Sequence, residues 1–132
     1  MIAVDTNILV RHLTEDDASQ TEKVRQLIAN IERHEEAIFV SHVVLAEMCW
    51  VLSAVYGFGK REIVAGIRAL LDDPTFVFEE RPAVETALAQ YRESGGQFPD
   101  HLIGTIGSRV GAETTWTFDR RAAKLPGFTL LH

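Results

Sequence analysis

The stretch MIAVDTNILVRHL, residues 1–13, decides the fold. Ile2, Ala3 and Val4 make a short apolar run of the kind that forms a buried strand. Asp5 ends that run, and Thr6 or Asn7 is available to cap a helix over 7–13. A strand that gives way to a helix within one acidic residue is the opening of an α/β repeat. The rest of the chain continues it.

Further short strands are expected over 37–40 (AIFV), 76–78 (FVF), 114–118 (TTWTF) and 128–131 (FTLL). Between them lie segments with apolar residues three and four apart. One spans 17–35, with Val24, Leu27, Ile28 and Ile31 on one side. Another spans 42–55 and is apolar nearly all round, which reads as a buried helix. A third spans 60–71. Pro82 and Pro99 suit the first turns of helices running to Glu93 and Val110, and Gly111 is placed to end the second. Strands separated by helices require right-handed crossovers, so the expectation is an α/β fold. Its three layers are a parallel sheet of about five strands with helices on both faces.

At 132 residues the chain is read as one domain, 1–132, large enough to bury its own core. The single cysteine, Cys49, has no partner within the chain, and a lone thiol suits a reducing, cytoplasmic setting. The opening MIAVDTN lacks a basic segment followed by an apolar one, so no signal peptide is expected. The apolar stretch 43–58 is too short and too polar to span a membrane. A net charge of −6 argues against a sequence-independent nucleic-acid coat, which is basic. That objection weakens if some of the acids bind cations.

Four acids stand out: Asp5, Glu47, Asp100 and Asp119. Parallel sheets bind ligands beyond the carboxyl ends of their strands, where strand order reverses. Asp5 and Asp119 each follow a strand. Asp100 opens the helix that feeds the fourth strand, and Glu47 lies on the helix after the second. Asp5 and Asp119 also read as helix caps, and Asp100 as an acid favourable to the start of its helix. Glu47 is harder to explain so simply. It sits in VVLAEMCWVL, and its helix neighbours Val43, Val44, Trp50 and Val51 include no base. Carboxylates that converge repel each other, and a divalent cation is the usual remedy. Oxygen ligands without a Cys or His cluster suit Mg²⁺ or Mn²⁺.

Taken in order, DTNILVR (5–11), VVLAEMCWVL (43–52), PDHLIGTIG (99–107) and TFDRRAAKLPGF (117–128) resemble a PIN domain, and more narrowly the VapC type of bacterial toxin. The resemblance covers essentially the whole chain. It implies strand order 3-2-1-4-5, a homodimer, Mg²⁺ or Mn²⁺, endoribonuclease activity and a VapB-type antitoxin as partner. Asp5, Glu47, Asp100 and Asp119 match its acidic positions. Thr6, Asn7 and Thr117 match polar positions that would support them from behind. An RNA substrate needs cationic contacts, for which Arg11, Arg109, Arg120, Arg121 and Lys124 are candidates. Other readings are a housekeeping RNA-processing nuclease, or a PIN-like module that only binds RNA or protein. An aspartyl-phosphate phosphatase wants a second acid where Asn7 stands, and a phospho-receiver wants an acidic pair after the first strand. Trp50 and Trp116 are expected in the core. Cys49 reads as a small core hydrophobe, and His101 is a weak candidate for touching metal or phosphate.

Overall fold

A computed structural model describes residues 1–132. It contains six α-helices and five short parallel strands, divided into two compact units, Met1–Glu79 and Glu80–His132. No helix is long and apolar enough to cross a membrane.

The first unit runs β1 (Ile2–Ala3), α1 (Thr6–Thr14), α2 (Ala18–Arg33), β2 (Ile38–Val40), α3 (His42–Ala54), α4 (Lys60–Asp72) and β3 (Phe76–Phe78). Its strands pair in parallel in the order β1-β2-β3, with Ile2 opposite Ile38 and Ile38 opposite Phe76. Each crossover is a pair of helices, the length of chain that a parallel connection needs. Helix starts are set locally. Asp17 caps α2 by accepting from Gln20 N at 3.0 Å, and Ser41 Oγ caps α3 by accepting from Val44 N at 3.2 Å. Glu62 reaches back to Gly59 N at 3.1 Å at the start of α4. Ile38, Val40, Leu45, Met48, Leu52 and Ile67 are wholly buried and form the centre of the unit.

Cys49 lies in that core, as its apolar surroundings in the sequence suggest. Burial pushes its thiol pKa up to about 12, because the anion would lose its hydration. Native protein is therefore expected to resist iodoacetamide at pH 8 and to react promptly in urea; fast labelling of the folded chain would contradict this packing. The ordinary value is 9.0, so the unfolded chain ionises at lower pH than the folded one. The shift thus favours folding below about pH 9 and loses that contribution as pH rises towards 12.

The second unit runs α5 (Arg81–Glu93), α6 (Phe98–Arg109), β4 (Thr115–Thr117), a single 3-10 turn (Ala122–Lys124) and β5 (Phe128–Leu130). Pro82 and Pro99 occupy first-turn positions, as expected. Helices α5 and α6 pack on each other through Ala83, Val84, Ala87, Leu88, Tyr91, Phe98 and Leu102, all buried. A side chain at Gly104 would meet the Phe128 ring at 2.6 Å, so the bare α6 backbone there is what lets β5 approach.

Two expectations need correction. The run 3-2-1 and the pair 4-5 are both present, as two sheets, one in each unit, and not as one five-stranded sheet. β1 has only two residues, because the Asp5 cap turns the chain into α1 at Thr6. Helix α3 is also not buried all round. Val43, Glu47 and Trp50 lie on one exposed stripe, with Val43 at 77% and Trp50 at 66% of full exposure. The helix is apolar on both sides, so composition alone could not say which side meets the core.

Candidate functional site

In the first unit Asp5 is the N-cap of α1. Its Oδ1 accepts from Thr6 N at 2.7 Å, and its other carboxylate oxygen has no protein partner. Thr6 is buried and holds that contact in place, while the Asn7 side chain is exposed and makes no hydrogen bond. Glu47 is exposed rather than buried, and its carboxylate takes part in no ion pair or hydrogen bond. Glu47 therefore carries no cost of a buried charge. What is unusual about Glu47 is the reverse: it is a lone charge on an exposed apolar stripe.

Arg11 is tied into local structure. It donates to Asp16 at 2.8 Å, to Gln20 at 2.5 Å and to the Tyr56 hydroxyl at 2.7 Å. The Tyr56 hydrogen bond is the main cause holding its pKa above the ordinary value. Hydrogen bonding to Tyr56, and then to Thr14 with help from the Arg11 charge, holds the Asp16 carboxyl below its ordinary range.

In the second unit Asp100 stands in the first turn of α6. Its Oδ2 accepts from Gln97 N at 3.1 Å, leaving Oδ1 without a protein partner. Asp119 follows β4, and its Oδ1 accepts from Arg121 N at 2.8 Å and Ala122 N at 3.4 Å. Its own backbone N–H donates to Thr117 Oγ1 at 3.0 Å, so Thr117 fixes the start of the turn that carries the carboxylate. The three aspartates thus share one design. One oxygen is pinned by backbone N–H groups, which fixes the side chain, and the other is open. The capping role and an outward binding role are compatible, since each uses a different oxygen.

Arg109 lies 3.7 Å from Glu80, a loose pair. Arg120, Arg121 and Lys124 are exposed and form no ion pair. His101 is 1% exposed; its Nε2 lies 2.8 Å from the Gly95 carbonyl, and its ring packs at 5.9 Å from Tyr91. It braces the turn before α6 and is closed to solvent, so it does not reach metal or phosphate as the sequence suggested. His42 opens α3, where its backbone N donates to Glu79 at 2.8 Å.

The structure contains no group of three or more His, Cys, Asp or Glu residues that could hold a metal ion. The donor chemistry nevertheless fits a hard divalent cation. Asp5, Asp100 and Asp119 each present an open, backbone-oriented carboxylate oxygen, and Glu47 presents an unpaired carboxylate.

The PIN domain family model matches residues 2–127. The chain belongs to the PIN domain family. Its sequence is also 26% identical, over 125 residues, to the VapC ribonuclease of Aquifex aeolicus (strain VF5), an alignment covering 95% of this chain and 92% of that protein. All four acids of this PIN domain chain fall within the matched residues, as do Thr6, Asn7 and Thr117. Sequence reading missed the exposure of Trp116 and Phe118, on either side of Thr117. A signal was present: in TTWTF the threonines and aromatics alternate, and a strand places alternate residues on opposite faces.

Proposed function

We propose that this PIN domain, a single domain over 1–132, is an endoribonuclease that hydrolyses RNA phosphodiester bonds with Mg²⁺ or Mn²⁺. Asp5, Glu47, Asp100 and Asp119 are its acidic residues. The observation that carries this reading is the family match together with three aspartates that each keep one oxygen anchored and one open. The likeness to a VapC ribonuclease supports the choice of RNA. It also supports a toxin role, with a VapB-type antitoxin as partner in the cytoplasm. The exposed Val43 and Trp50 of α3 supply apolar surface for a homodimer.

When bound, a divalent cation lowers the pKa of water and offsets the charge that builds on the phosphate. The chain's residues do the rest. Asp5, Asp100 and Asp119 offer oxygens already oriented by their backbone hydrogen bonds, so little reorganisation is needed when the cation and substrate arrive. Thr117 holds the turn that carries Asp119, and Thr6 holds the Asp5 carboxylate. Glu47, without a competing partner, either joins them in holding the cation or orients the attacking water. In-line attack by water on phosphorus breaks the P–O3′ bond; the water gives up a proton to solvent and the departing oxygen takes one from it, which leaves a 3′-hydroxyl and a 5′-phosphate. Arg120, Arg121 and Lys124 contact the flanking phosphates, and Arg109 assists if its loose pair with Glu80 opens. Arg11, held by three local partners, contributes structure instead.

The test is cleavage of a labelled RNA by the purified chain. Activity is expected to vanish with EDTA and to return with added Mg²⁺ or Mn²⁺. Undiminished cleavage in EDTA would overturn the metal-dependent mechanism. RNA binding without cleavage under any divalent ion would leave a binding module.

A further inference from the structure

The β4–β5 sheet presents an aromatic face. In β4 and the residue after it, Thr115 and Thr117 are half-buried while Trp116 is 60% and Phe118 79% exposed. On β5, Thr129 lies opposite Trp116, and the half-exposed Leu131 donates its N–H to Thr117 O at 2.8 Å, extending the ladder by one residue. An exposed Trp and Phe two residues apart are an expensive surface to leave in water.

The chain continues from Phe118 into Asp119, Arg120 and Arg121, and Lys124 follows on the 3-10 turn. None of these three cations has an acidic partner. Two flat rings beside three free positive charges have the composition of a site for unpaired nucleotides, where bases stack on aromatics and cations track the phosphates.

We propose that Trp116 and Phe118, with Arg120, Arg121 and Lys124, form a strip that takes a single-stranded segment of RNA by stacking at least one unpaired base next to Asp119. The proposal rests on the nuclease reading for its place in catalysis, but not for the binding itself. It makes the enzyme selective for unpaired RNA, because bases inside a duplex have no free face to stack. The charge pattern favours RNA over a second copy of this acidic chain, whose net charge is −6.

The experiment uses the full chain with Trp50→Phe, so that emission reports Trp116 alone, and with Asp100→Asn to prevent cleavage. It is titrated with a mixed-sequence single-stranded RNA twelve-mer and with the same strand annealed to its complement. The single strand is expected to quench Trp116, and the duplex is not. Phe118→Ala is expected to weaken single-strand binding about 5- to 150-fold, the range for losing one stacked base. Phe118→Trp is expected to keep it. In the cleaving enzyme Phe118→Ala is expected to raise KM and leave kcat unchanged. Because Phe118 is exposed, these variants should keep the native circular dichroism spectrum.

Equal quenching by duplex, or unchanged affinity in Phe118→Ala, would overturn the proposal while leaving the nuclease reading intact. So would loss of self-association in Trp116→Ala with RNA affinity unchanged, which would make this face a contact between copies. Single-strand quenching without any cleavage by the parent chain would keep the strip and remove the nuclease.

Discussion

Replacing Asp100 with asparagine is expected to abolish RNA cleavage while leaving the fold intact. The substitution is nearly isosteric, and the side-chain carbonyl can still accept the Gln97 N–H that now binds Oδ2 at 3.1 Å. What disappears is the negative charge. At the start of α6 that charge is worth about 0.3–1 kcal/mol against the helix dipole, a small loss beside the stability of a domain. In the proposed site it is one of the charges that hold the cation. Removing one preorganised electrostatic group lowers kcat by about 10²–10³-fold. The measurement pairs single-turnover cleavage with a urea unfolding curve. Full cleavage by Asp100→Asn would refute the acid-based mechanism. Lost cleavage with an equally large loss of stability would show that Asp100 acts only as a helix residue.

The largest stability effect is expected at Phe98, two residues earlier on the same helix. Its ring is buried, 6.1 Å from Tyr91 in an edge-to-face arrangement. Tyr91 in turn packs against the His101 ring. Phe98→Ala removes a core aromatic and leaves a cavity that fixed helices cannot close, which costs about 3–5 kcal/mol. With a urea m-value of about 1–3 kcal/mol/M, the unfolding midpoint falls by more than about 1 M. A loss below about 1 kcal/mol would mean that the ring is not packed as described. The contrast with Asp100→Asn is informative, because the two residues share one helix turn. One is expected to affect the reaction and the other the fold.

Element order was legible because it rests on local chemistry. Pro82 and Pro99 opened helices and short β-branched and aromatic runs formed strands, although the cap of α1 is Asp5 and not Thr6 or Asn7. Each of these effects acts within a few residues of chain, so it is written in the sequence. The cap role of Asp5 and the first-turn place of Asp100 were legible for the same reason, whereas Asp119 braces a turn and does not cap a helix.

Exposure was not legible where a segment is apolar on both sides or mixes aromatics with threonine. The burial argument for Glu47 assumed that an apolar helix is a buried one, and α3 instead turns Val43, Glu47 and Trp50 to solvent. Trp116 was placed in the core because it is large and apolar, yet the half-buried residues of β4 are its threonines. His101 beside Asp100 suggested chemistry, but helix geometry turns its ring to Tyr91 and the Gly95 carbonyl.

The sequence by itself thus determined the alternation of strands and helices, the four acids and the family to which the chain belongs. Only the tertiary structure decided which side of each element meets the core and which carboxylate oxygens stay open. It also decided that two aromatics stand in water beside free arginines. The physical reason is that periodicity identifies the faces of a helix or strand, whereas burial depends on what packs against them. That partner comes from distant parts of the chain.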